Sequence, residues 1–154
     1  MLISYNDRDI YSIRNSVFVV LTCVEVGMSV TKMFGESAGK IWRFLEEKGR
    51  CSESKIKRKT KLSNEEFYGA IGWLAREDKI RKFGRFYELG NTNLVWDIGS
   101  RAGRVWRTLN IWGELTEDEL AELLDMDKKE VLSALGWLAR EGKVEFVNGK
   151  WMLK

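Results

Sequence analysis

Gly35-Glu36-Ser37-Ala38-Gly39-Lys40-Ile41-Trp42-Arg43 returns 64 residues later as Gly99-Ser100-Arg101-Ala102-Gly103-Arg104-Val105-Trp106-Arg107. A second block keeps the same offset: Gly72-Trp73-Leu74-Ala75-Arg76-Glu77 returns as Gly136-Trp137-Leu138-Ala139-Arg140-Glu141. Between the blocks the register does not slip, since Gly49 meets Gly113, Glu53 meets Glu117 and Glu66 meets Glu130. The chain is one small unit written twice, and the fold of that unit is the first question.

Each unit opens on an apolar stripe at i, i+3, i+4 and i+7, carried by Ala38, Ile41, Trp42 and Leu45 and again by Ala102, Val105, Trp106 and Leu109. That spacing predicts a first helix with one buried face, on which Trp42 and Trp106 are expected in the core. Gly49 and Gly113 stand where a left-handed C-terminal cap is wanted. A second helix is expected from Ser52 and from the capping box Thr116-x-x-Glu119. A third opens at Ser63-x-x-Glu66 and at Asp127-x-x-Glu130, with the stripes Phe67, Ala70, Ile71, Leu74 and Val131, Ala134, Leu135, Leu138. Two strands follow in each unit, turning at Gly84-Arg85 and at Asn148-Gly149, the latter the strongest short hairpin signal. Segments 30–34 and 94–98 are expected to supply a third strand to each sheet.

Three helices and a hairpin make a winged helix-turn-helix. The expected class is mostly α with small β-hairpins, as two tandem domains. The order lacks the strand–helix alternation of nucleotide-binding α/β folds, and the glycines are scattered at caps and turns with no phosphate loop. The divisions read as an N-terminal extension over 1–27, one unit over 28–90 and a second over 91–154. The joining Gly90-Asn91-Thr92-Asn93 is short, so the units are expected to touch. Trp73 and Trp137 fall about 100° from their stripe, which leaves two readings, core packing or a seal between units. Arg76 and Arg140 are expected to engage backbone carbonyls or Glu. Cys51, aligned with Leu115, reads as a small core residue.

The Ala-Gly-Lys/Arg-x-Trp opening and the Gly-Trp-Leu-Ala-Arg-Glu block resemble a family of small prokaryotic winged helix-turn-helix proteins of unknown function. The resemblance spans 35–89 and 99–153. It implies the fold, and it carries no activity, ligand or site residue with it. Members commonly hold a single unit, so the tandem is expected to be a monomeric pseudo-dimer, with a homodimer as the alternative.

Composition narrows the function. The 154 residues contain no His and no Pro, and the only cysteines, Cys23 and Cys51, form no CxxC pair. Neither a metal set nor a catalytic triad is legible, so no enzyme, metal or cofactor is expected, and two isolated thiols suit a reducing cytoplasm. The apolar run at 17–24 is too short to span a membrane. It lacks the basic flank of a signal peptide. It reads as an added edge strand or as sequence ahead of a start at Met28 or Met33.

Net charge is only +3, but it is unevenly shared. Residues 35–89 carry 14 Lys/Arg against 9 Asp/Glu, and residues 99–154 carry 9 against 10. In a helix-turn-helix the third helix enters the major groove. Its outward residues here would be Asn64, Glu65, Tyr68 and Gly69, or Lys128, Lys129, Leu132 and Ser133, a poor set of base readers. The clearer cluster is Lys55, Lys57, Arg58, Lys59 and Lys61 on the second helix, with Arg81, Lys82 and Arg85 on the wing and Lys128 and Lys129 as a weaker second site. The expectation is backbone-driven binding of double-stranded DNA in a regulator-like role. The alternative is a protein–protein module: an acidic partner on the basic helix, or self-association between that helix and the acidic Glu117, Asp118, Glu119 and Glu122 of unit two.

Overall fold

The computed structural model describes residues 29–154. The N-terminal readings, edge strand or upstream start, and Cys23 lie outside the described residues. Unit one runs α1 (Val30–Lys48), β1 (Cys51–Ser52), α2 (Glu53–Thr60), α3 (Asn64–Arg76), β2 (Ile80–Phe83) and β3 (Phe86–Leu89). Unit two begins with a π-helical turn (Val95–Gly99) and continues as α4 (Ser100–Trp112), α5 (Glu117–Leu124), α6 (Lys128–Arg140), β4 (Val144–Val147) and β5 (Lys150–Leu153).

The capping boxes and the hairpin turn act as their chemistry requires, whereas Gly49 and Gly113 end their helices with positive φ but with ψ of −156° and −127°, outside the left-handed helical cap expected of them. Ser63 Oγ accepts from Glu66 N while Ser63 N donates to Glu66 Oε2 at 2.7 Å, and Thr116 and Glu119 repeat the exchange. Each box satisfies N–H groups that a helix start leaves open. Asn148 and Gly149 both take positive φ, the geometry that joins two twisted strands in a two-residue turn.

The third strands come from elsewhere than expected. Segment 30–34 forms the first turns of α1, and 94–98 enters the π-turn. In unit one the extra strand is β1, paired with β3 through Cys51–Tyr87 and Ser52–Phe86. In unit two it shrinks to one bridge between Leu115 and Trp151. The aligned Cys51 and Leu115 are both buried, each facing the equivalent wing residue.

The segments misread as strands have another use. Val30, Met33 and Phe34 are buried in the core of unit two, and Leu94 and Ile98 in the core of unit one. Each unit therefore receives the apolar residues that precede the other's first repeat motif. Phe34 stacks on Trp151 with ring centroids 5.9 Å apart, and Trp151 is the largest fully buried side chain among the described residues. Trp42 and Trp106 do not fill the cores as expected. Trp42 is half-buried and Trp106 is 37% exposed. Each sits at the edge of its stripe and lines a shallow groove beside the end of α3 or α6.

The units meet through α3 and α6, related by a pseudo-twofold axis. A Cβ on Gly72 would lie inside the carbonyl oxygen of Ser133, and one on Gly136 inside that of Gly69. The two backbones touch, which only glycine permits. Around this crossing the contacts are reciprocal. Arg140 lies over Trp73 at 5.7 Å and Arg76 over Trp137 at 5.8 Å. Arg76 pairs with Glu141 at 3.3 Å and Arg140 with Glu77 at 3.5 Å. The Gly-Trp-Leu-Ala-Arg-Glu block is thus the seal between units, with both arginines on Glu. The linker is fastened as well: Asp78 accepts from Thr92 N and Asn91 Nδ2, both at 2.8 Å, and the Asn93 amide pairs with both backbone groups of Lys82.

Candidate nucleic-acid interface

The second helix of unit one has a single fully buried side chain, Ile56. With Ile56 inward, Lys55, Arg58 and Lys59 occupy successive outward positions and all are exposed. Lys61, exposed, closes the helix in a left-handed cap. The N-terminus of α2 is joined to the wing by β1 and by Glu53 N donating to Arg85 O at 2.8 Å. That bond places Arg85, at the wing tip, beside the start of the basic helix.

Other cations leave this surface. Lys57 pairs with Glu53 at 3.3 Å, donates to Asn64 and lies over the rings of Phe67 and Tyr68. It is a structural cation that holds α2 on α3. Burial first, and the Glu53 carboxylate second, push the Tyr68 hydroxyl far above its usual range, so it stays a proton donor to Glu53. Strand alternation then divides the wing. Ile80, Lys82, Tyr87 and Leu89 share the inner side, and Arg81, Phe83, Phe86 and Glu88 the outer. Arg81 stacks on Phe83 at 5.1 Å, whereas Lys82 sits over Tyr87 on the opposite face. In unit two, Lys128 is paired with Glu117 and Asp118, and Lys129 faces the junction with unit one.

The third helices are not free to read a groove. Gly69 is covered by Phe34, and Leu132 is buried. Ser133 bonds back to Lys129 O. Glu65 is buried, with no hydrogen-bond partner on Oε2. Tyr68 is held by Glu53, which leaves Asn64 as the one exposed member of the unit-one set. The pseudo-dimer uses the helices that a helix-turn-helix ordinarily presents to DNA. This corrects the expected reading element, for a packing reason: the glycine crossing brings α3 and α6 together along their outward faces.

Sequence reasoning missed the two aromatics of the wing tip. Phe83 and Phe86 lie opposite one another and remain exposed, with Arg50 and Arg81 over Phe83. Period-two alternation from the buried Ile80 and Tyr87 was the available signal. In unit two the same positions hold Val147 and Lys150. There the surface is acidic instead, with Asp118, Glu119 and Glu122 exposed along α5. Glu117 is turned inward, accepting from Trp151 Nε1 at 3.3 Å, and burial pushes its carboxyl up against the opposing pull of that bond and of Lys128.

Among the described residues no cluster of three or more His, Cys, Asp or Glu could hold a metal, and no helix is long and apolar enough to cross a membrane.

A family model agrees with this architecture. The model of the winged helix-turn-helix domain family DUF2582 matches twice, over 28–85 and 92–154. An uncharacterized protein of Methanocaldococcus jannaschii, MJ1608, is 52% identical over 48 residues, which is 30% of this chain and 69% of that protein. Among solved structures, the mRNA-binding domain of elongation factor SelB from E. coli, in complex with SECIS RNA, is similar with a TM-score of 0.37 and 14% identity, covering 77% of this chain and 98% of that one. With two matched copies spanning most of its length, the chain belongs to the DUF2582 winged helix-turn-helix family and carries its domain in tandem.

Proposed function

We propose that this protein binds double-stranded DNA through the phosphate backbone, with low sequence specificity, in a regulator-like role in the cytoplasm and without catalysing a reaction. The observation that carries the reading is the exposed row Lys55, Arg58 and Lys59, tied by the Glu53–Arg85 hydrogen bond to a wing tip bearing Arg85 between Phe83 and Phe86. Cations on phosphates fix position and supply affinity, while base edges supply specificity. The helices that would reach base edges are closed against each other, so the reading assigns little specificity to this protein.

Affinity for a duplex measured across a salt series tests it. Each neutralised phosphate contributes a slope of about −0.9 in log K against log salt. A steep slope is expected, flattened by about one unit in Arg58→Gln. Absence of binding at about 50 mM salt would end the DNA reading.

A second reading, a protein–protein module, is favoured by Ile111 and Trp112, 74% and 64% exposed at the end of α4 in the acidic unit. It predicts capture of a protein partner that Trp112→Ser abolishes, with no dependence on Arg58.

A further inference from the structure

At one place the two units, aligned by their 64-residue offset, are built differently. In unit two, the space between the third helix, the wing and the incoming segment of the other unit is closed by hydrocarbon: Phe34 stacks on Trp151, with Met33 and Leu132 buried and Phe146 edge-on to Trp151 at 5.1 Å. In unit one the equivalent residues are Ile98, Tyr87, Asp97, Tyr68 and Lys82. Smaller and more polar side chains have replaced a stacked aromatic pair, and a cavity of about 280 Å³ remains. Its floor is apolar and buried, formed by Ile71, Leu94, Ile98 and the ring of Tyr87. Its rim is polar and comes from both units, with Lys82, Arg101 and Lys129 against Asp97 and Glu130.

The rim charges are not all engaged alike. Glu130 is taken twice, by Arg101 at 3.0 Å and by Asp127 N at 3.0 Å. That leaves the ammonium groups of Lys82 and Lys129 as the prominent charges at the mouth, opposed only by the exposed Asp97. Lys129 stands where unit one has Glu65, so the sign at this position is also reversed between the copies. An apolar floor with a few convergent polar groups is the usual form of a small-molecule site, and this volume lies just below the usual range, which suits a small ligand.

We propose that this junction binds a small amphipathic organic anion, its apolar body on Ile71, Ile98 and Tyr87 and its acidic group between Lys82 and Lys129. Among the described residues the site belongs to unit one, because Trp151 and Phe34 fill its counterpart. It is independent of whether the protein binds nucleic acid.

The test is titration of the full 15N-labelled chain with benzoate, phenyl phosphate and inorganic phosphate, followed by amide chemical shifts. Benzoate and phenyl phosphate should shift residues 82, 87, 94–98 and 129–133 saturably, with Kd of about 1 mM for probes this small. Inorganic phosphate, without a body for the apolar floor, should bind at least about tenfold more weakly, a difference of roughly 1.4 kcal/mol. Tyr87→Trp with Ile98→Phe gives unit one the filling of unit two and should abolish the shifts. Lys82→Ala with Lys129→Ala, both exposed, should keep the native spectrum and weaken both organic anions severalfold. Should the filled variant lose its native spectrum, the lysine variant decides. No saturable shift at these amides, equal binding of inorganic phosphate, or unchanged binding in the lysine variant would overturn the proposal.

Discussion

Unit one and unit two share a backbone plan and little of their surface. What they share lies at the crossing and at the chain's local punctuation: Gly72 and Gly136, Trp73 and Trp137, Arg76 and Arg140, the caps, and the turn glycines. What differs is outward charge, the wing-tip aromatics, and how well the hollow behind the wing is filled. A duplicated chain needs each of its halves to keep the surface that holds the other. Once that surface is met, the remaining faces are free to diverge, so unit one became basic and unit two acidic. The contrast separates residues that make the pseudo-dimer from residues available for work.

The sharpest way to break the comparison is at the hollow. Trp151→Ala removes a fully buried indole and its stacking with Phe34, for an expected loss of about 3–5 kcal/mol in denaturant unfolding. Tyr87→Ala removes a side chain that borders an existing cavity, and should cost distinctly less. Equal losses would show that the two cores are packed alike. Next is the crossing. Gly136→Ala places a methyl inside the carbonyl of Gly69, where neither backbone can yield cheaply, and should cost about 1–3 kcal/mol. Gly103→Ala is the matched control. Nothing lies within 4 Å of its Cβ position, so on α4 it should stabilise by about 0.5–1 kcal/mol. Calorimetry of the pair would separate a glycine required by contact from one that is not.

The smallest effect belongs to Glu117. Burial raises its folded pKa above the ordinary value of 4.5, so the folded state favours the protonated acid. Its contribution is therefore greatest below that value and is lost as pH rises through the raised pKa. Glu117→Gln, neutral throughout, should have a higher Tm than the parent at pH 7 and lose that advantage near pH 4. An advantage that grew toward acid pH would contradict the sign.

Much of this architecture is legible in the residues. Helix starts follow from Ser63, Thr116 and Asp127 because capping is local chemistry, and the Asn148-Gly149 hairpin needs no knowledge of the rest of the chain. The exchange of 30–34 and 94–98 is different. A short apolar run reads equally as strand or helix, and only the partner core decides which it becomes. Trp42 and Trp106 were misplaced for a related reason. Periodicity names a stripe but not its edges, and both indoles sit at an edge, lining the grooves beside the ends of α3 and α6. For the interface, the sequence shows the basic cluster but not its occupancy. That Lys57 is held by Glu53, Asn64 and the rings of Phe67 and Tyr68, and that Lys82 and Arg81 face opposite ways, depends on how α2 packs on α3 and on the register of the wing. The closure of α3 on α6 was hinted at by Trp73 and Trp137, yet the general docking geometry of helix-turn-helix proteins pointed those helices at DNA.

The central claim is that the surface free for nucleic acid is α2 with the wing tip of unit one, the third helices being closed at the pseudo-twofold axis. Mapping a short duplex onto the 15N-labelled chain tests it directly. The account predicts shifted amides at 54–61 and 83–86, with 128–140 unmoved. Shifts concentrated in 64–69 and 128–133 would mean that the pseudo-dimer opens and presents its third helices, and would contradict it.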